Sequence, residues 1–90
     1  MYKIAYTKEA RERIGKLSAK FKLQIKRAIE RIAENPDTGK CLMQELSGIL
    51  SYRTGKFRII YRVFHGEILV LILTLGYRKD IYKKISRKLS

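Results

Sequence analysis

The run Gly55-Lys56-Phe57-Arg58-Ile59-Ile60-Tyr61-Arg62-Val63 decides the fold. Apolar residues at 57, 59, 61 and 63 alternate with Arg58 and Arg62, the period-two pattern of a strand with two unlike faces. Ser51-Tyr52-Arg53-Thr54 reads as a shorter strand before it, and Gly55-Lys56 fits a two-residue type II′ turn with glycine first. Such a turn sets Thr54 opposite Phe57, Arg53 opposite Arg58 and Tyr52 opposite Ile59. Two guanidiniums directly opposite each other repel and weaken a sheet. Their presence there points to an anion held between them.

On the C-terminal side, His65-Gly66 is expected to turn the chain into a third strand over 67–76, the most apolar stretch. A two-residue turn pairs Phe64 with Glu67 and Arg58 with Leu73. Phe57, Ile59, Tyr61, Val63, Ile68, Val70 and Ile72 then share one face. Arg53, Arg58, Ile60, Arg62, Leu69, Leu71 and Leu73 share the other, which needs a cover: the segment bearing Ile81, Ile85 and Leu89, or a partner protein.

Toward the N-terminus, residues 2–6 alternate as a short first strand. Thr7 is a credible helix cap, and Ala10, Ile14 and Leu17 form a narrow apolar stripe that breaks near Ser18. Phe21, Ile25, Ala28, Ile29 and Ile32 line one face of a second helix, ended by Asn35-Pro36 because the residue before proline avoids the α region. Residues 37–49 read as a connecting loop. The expected architecture is α+β in a single domain over 1–90. An N-terminal strand and a two-helix hairpin precede a three-stranded antiparallel meander, with the helices on one sheet face and a short C-terminal helix.

Lys and Arg number 21 against 8 acids, a net charge of +13, which favours a polyanionic or acidic partner. Residues 50–90 carry ten of the bases and only two of the acids, so this half dominates the field. With one cysteine and one histidine, neither a disulfide framework nor a Cys/His metal site is expected. The longest apolar run, 68–75 with Thr74 inside it, is too short to span a membrane, and no secretory leader is read around Tyr2-Lys3-Ile4. The expected compartment is the cytoplasm.

The element order and the local text resemble the RelE/ParE toxin superfamily. The matching pieces are Leu46-Ser47-Gly48, Tyr52-Arg53, Gly55-Lys56-Phe57-Arg58-Ile59-Ile60-Tyr61 and Leu75-Gly76-Tyr77-Arg78-Lys79-Asp80-Ile81-Tyr82. For the RelE branch, the resemblance implies a metal-independent, cofactor-free endoribonuclease that cleaves mRNA in the ribosomal A site. It also implies a RelB-like antitoxin partner in a toxin–antitoxin hetero-oligomer. The ParE-like alternative is a non-enzymatic inhibitor of a type II topoisomerase such as gyrase.

Carried over by position, Arg58 matches the family's strand arginine, Arg78 the arginine after the glycine, and Tyr82 the C-terminal tyrosine that stacks on or orients the base. Arg53 lies where RelE toxins carry the first of two catalytic lysines, and the second position falls close to Thr54. Lys56 is the only nearby lysine. Arginine does not serve as a base at neutral pH, so Lys56 and Tyr82 are the candidate proton carriers. Lys79, Lys83, Lys84, Arg87 and Lys88 form the implied RNA- and ribosome-binding block, although a solvated helix face explains the last four one by one. Ile60, Arg62, Leu69, Leu71 and Leu73 are the expected antitoxin-binding residues. His65 reads as a turn residue.

Overall fold

The computed structural model describes residues 1–41, 48–77 and 80–81. The chain runs β1 (Lys3–Tyr6), α1 (Lys8–Gly15), α2 (Ala19–Glu34), a 3-10 turn at Pro36–Thr38, and β2 (Lys40–Cys41). It continues with β3 (Ile49–Thr54), β4 (Phe57–Phe64), a 3-10 turn at His65–Glu67, and β5 (Leu69–Tyr77). The strands form one mixed sheet in the order β1-β5-β4-β3-β2, with β1 parallel to β5 and the other pairings antiparallel. The α+β class, the two helices and the meander are as expected. The expected C-terminal helix falls outside the described residues except for Asp80 and Ile81.

Local chemistry explains the helices. Thr7 accepts the Ala10 amide at 3.1 Å and Ser18 that of Phe21 at 3.5 Å, so each helix begins on a side-chain oxygen that satisfies an orphan N–H. Gly15 and Ser18 separate the two helices, and Pro36 follows the second. Ala10, Ile25, Ala28, Ile29 and Ile32 bury their face against Phe57, Ile59, Tyr61, Val70, Ile72 and Leu75 on the sheet. Tyr61 ties down the exit from α2: its buried hydroxyl donates to Pro36 O at 2.7 Å and accepts from the Gly39 amide at 3.0 Å. That close approach leaves no room for a Cβ at Gly39, where one would clash with the Tyr61 hydroxyl. No helix among the described residues is long and apolar enough to cross a membrane.

Four expectations need correction. The segment 37–49 holds β2, an edge strand pairing Lys40 with Ser51 and Cys41 with Leu50, and β3 begins at Ile49, two residues early. The turn after β4 spans four residues. A two-residue hairpin needs positive φ at its first central residue, which suits His65 poorly. The chain instead makes a 3-10 turn and places Ile68 in the left-handed region at φ 51°, so Phe64 faces Leu69 rather than Glu67. Ile68 is therefore 54% exposed, not part of the core face. Finally, a bulge interrupts the β4–β5 pairing: Tyr61 faces Ile72 while Ile60 faces Thr74, which leaves Leu73 as the extra residue. Beyond it the alternation inverts, so Leu75 joins the helix-side core and Arg58 lies opposite Gly76 instead of Leu73.

Candidate functional site

The β3–β4 hairpin builds the site as the sequence requires. Arg53 faces Arg58 and Thr54 faces Phe57, joined through Gly55 at φ +59°. Lys56 is absent from the positive-φ residues, as a type II′ turn demands. The turn is pinned from below by α2: Gln24 Nε2 donates to Thr54 O at 3.0 Å and to Thr54 Oγ1 at 3.3 Å. A Cβ at Gly55 would stand 2.5 Å from that amide and push the Gln24 tip off Thr54, while the positive φ is what calls for glycine.

Across the far side of the sheet run ordered rows of side chains. The first row is Arg53–Arg58–Gly76, the next Ser51–Ile60–Thr74, and the third Ile49–Arg62–Leu71. Arg53 is exposed and Arg58 half-buried. Arg58 Nη1 donates to Ser51 Oγ at 3.2 Å, turning its guanidinium toward the second row. Ser51, Ile60 and Thr74 are all buried, at 3%, 2% and 6% exposure. This buried row divides the face. On one side lie the arginines beside Gly76, whose missing side chain leaves room that the Arg13 guanidinium and buried Ile81 approach. On the other lies a half-buried apolar strip of Ile49, Phe64, Leu69 and Leu71, with exposed Arg62 set 5.1 Å above the Phe64 ring.

The sequence-derived sites thus sort unevenly. Arg53 and Arg58 are brought together; Lys56 is exposed at the adjoining turn. Arg78, Tyr82, Lys79, Lys83, Lys84, Arg87 and Lys88 lie outside the described residues. Of the expected antitoxin contacts, Arg62, Leu69 and Leu71 share one accessible strip, whereas Ile60 is sealed within the sheet face and Leu73 sits on the bulge. Residue reading missed Ser51, although it lies two before Arg53 on the same face. Gly76 was not legible there, because its facing depends on the bulge. Among the described residues no three His, Cys, Asp or Glu side chains converge as a metal ion would need. A groove of about 850 Å³ lies away from Arg53 and Arg58, between β1 and the helices, lined by Tyr2, Ile4, Tyr6, Ile25 and Ile29.

Two tyrosines are perturbed. Burial raises the Tyr61 hydroxyl above its ordinary range, against the opposing pull of the Gly39 amide. Burial likewise raises Tyr6, partly offset by Arg11. Both belong to the helix-side packing.

Comparison with known proteins identifies the family and the fold. Residues 4–82 match the family model described as the ParE toxin of the type II toxin–antitoxin system parDE. Toxin RelG of Mycobacterium tuberculosis is 32% identical over 85 residues, covering 92% of this chain and 98% of that protein. In the RelBE2 toxin–antitoxin complex of Mycobacterium tuberculosis, a chain 30% identical superposes with a TM-score of 0.75, covering 86% of this chain and 98% of that one. The intact Escherichia coli RelBE complex shares the fold at 17% identity, with a TM-score of 0.76 over 86% of this chain and 96% of that one. The chain belongs to the RelE/ParE superfamily and is a toxin of a type II toxin–antitoxin system.

Proposed function

We propose that the protein is a ribosome-dependent endoribonuclease that cleaves mRNA in the A site without a metal ion, and that a RelB-like antitoxin silences it in the cytoplasm. The observation that carries this reading is the Arg53–Arg58 pair, set directly opposite on one sheet face with Gly76 completing the row. Like charges directly opposite weaken a sheet, and a phosphate is a ligand that suits two guanidiniums set side by side.

In the reaction, a base removes the proton of the RNA 2′-hydroxyl. The 2′-oxygen bonds to the adjacent phosphorus and the bond to the 5′-oxygen breaks, leaving a cyclic phosphate and a 5′-hydroxyl once that oxygen gains a proton. Negative charge gathers on the phosphoryl oxygens in the transition state, and guanidiniums supply charge-assisted, paired donors there. Arg53 and Arg58 serve as this clamp, joined by Arg78. Lys56 and Tyr82 are the side chains assigned to proton transfer, and Tyr82 also orients the base. Lys79, Lys83, Lys84, Arg87 and Lys88 add attraction to ribosomal and messenger phosphates.

The ParE-like reading, inhibition of a type II topoisomerase, is favoured by the family model that the chain matches. It also accommodates arginine at position 53. Purified protein incubated with programmed ribosomes and end-labelled message, with free message as control, separates the two. Cleavage confined to ribosome-bound message is expected. Arg58→Ala should lose roughly a hundredfold or more in rate at saturating ribosomes, as for loss of one transition-state donor. Intact message alongside inhibited gyrase supercoiling would establish the topoisomerase reading instead.

A further inference from the structure

β1 ends at Tyr6, opposite Ile72, so beyond that point no strand among the described residues lies along the outer edge of β5. Side chains take over its carbonyls. Thr7 Oγ1 donates to Leu73 O at 2.6 Å, and Arg13 Nη1, from the last turn of α1, donates to Leu75 O at 3.1 Å. The arginine reaches further than that bond requires. Its Nη1 stands 3.0 Å from the point that a Cβ on Gly76 would occupy. Gly76 pairs with Arg58, so that missing Cβ points to the arginine-bearing face. Arg13 therefore belongs to a helix on one side of the sheet and brings its guanidinium around the open edge toward the other.

The resulting line is Arg53, Arg58, Gly76, Arg13. Among the described residues Arg13 is not paired with an acid, and the one hydrogen bond it makes leaves most of its donors available. From Arg53 to Gly76 the row crosses two strand spacings, about 10 Å, before the guanidinium of Arg13 extends it. A basic groove that follows a single strand contacts successive phosphates in this way. We propose that Arg13 is a further RNA-contacting residue: it binds the phosphate next to the one being cleaved and holds the message in line across the sheet.

This inference rests on the nuclease reading. The test uses single-turnover cleavage on programmed ribosomes with three messages: one unmodified, and two carrying an uncharged methylphosphonate linkage immediately 5′ or 3′ of the scissile phosphate. The wild-type protein should slow about tenfold or more on one of the neutral-linkage messages, as for loss of a charged hydrogen bond. Arg13→Gln should be slower by a similar factor on the unmodified message and indifferent to that linkage, while Arg13→Lys should retain sensitivity. A residue that merely seals the β5 edge would give losses that multiply. If Arg13→Gln does not fold, Arg13→Met, which keeps the aliphatic stem and loses the charged donors, serves, and the same indifference is expected. Multiplying losses on cleaved message overturn the role of Arg13 alone, whereas no cleavage by the wild type overturns both readings.

Discussion

Arg53→Thr should make the protein more stable and less active. Arg53 is exposed and directly opposite Arg58, and threonine suits a strand position. A like-charged cross-strand pair costs about 0.2–1 kcal/mol; exposure and screening place this one in the lower half of that range. For a domain of this size, about 0.2–0.5 kcal/mol corresponds to a rise of roughly 1–4 °C in melting temperature. Two controls identify the cause. Arg53→Lys keeps the charge and should gain nothing. The gain should also fade at 1 M salt, where the screening length drops to about 3 Å. Cleavage should fall about tenfold or more, since a cation beside the transition state is gone. A lower melting temperature, or an equal gain at high salt, would refute the idea that this pair is a strained anion site.

Lys56→Arg keeps a cation at the turn but removes a group able to take a proton; a slower reaction with unchanged ribosome affinity assigns the base to Lys56, and an unchanged rate moves it elsewhere. Tyr61→Phe strands the buried Pro36 carbonyl and the Gly39 amide, so urea unfolding should register a loss of about 2–4 kcal/mol. Because burial raises the Tyr61 pKa above its ordinary 10.0, the folded state holds that proton more tightly than the unfolded chain. Stability should be unaffected by this group below about pH 10 and fall as pH rises beyond it, less steeply in Tyr61→Phe. Leu71→Lys places a charge in the apolar strip beside Arg62 and should weaken antitoxin binding by calorimetry far more than Lys22→Glu, which lies on the rim of the groove between β1 and the helices. The reverse ranking would move the antitoxin to that groove.

Much of this was legible because short-range rules decide it. Alternation from Phe57 to Val63 identified β4, and glycine-first turn chemistry fixed Arg53 opposite Arg58. Thr7 marked a helix start through its capping oxygen, Ser18 a break between helices, and Pro36 a helix end because the residue before proline avoids the α region. What failed was decided by tertiary context. β2 contains two residues, Lys40 and Cys41, too few to display a period, and exists because Tyr61 holds the Pro36–Gly39 backbone beside β3. Ile68 is apolar by composition yet exposed, since the turn after β4 needs a left-handed residue there. Ile60 looks like a docking residue on a strand diagram, but its neighbours Ser51 and Thr74 are buried with it.

The bulge at Leu73 has the largest functional consequence. Continuing the register of Tyr61 with Ile72 without interruption would set Ile60 opposite Leu73 and Arg58 opposite Leu75, with a leucine side chain filling the space beside the guanidinium. Gly76 would then face the helices, and Tyr77 would leave its stacked position 5.0 Å from Phe57. One extra residue reverses all three outcomes. Leu75 enters the core at 1% exposure, Tyr77 covers Phe57, and a residue without a side chain stands next to Arg58. Thr7 and Arg13 hold the carbonyls of Leu73 and Leu75, at and just beyond the bulge, where β1 has already ended. Bulges of this kind re-aim side chains near functional sites. Here the device sets a glycine in place of a leucine beside Arg58, at the end of the sheet face where the proposed phosphate clamp stands.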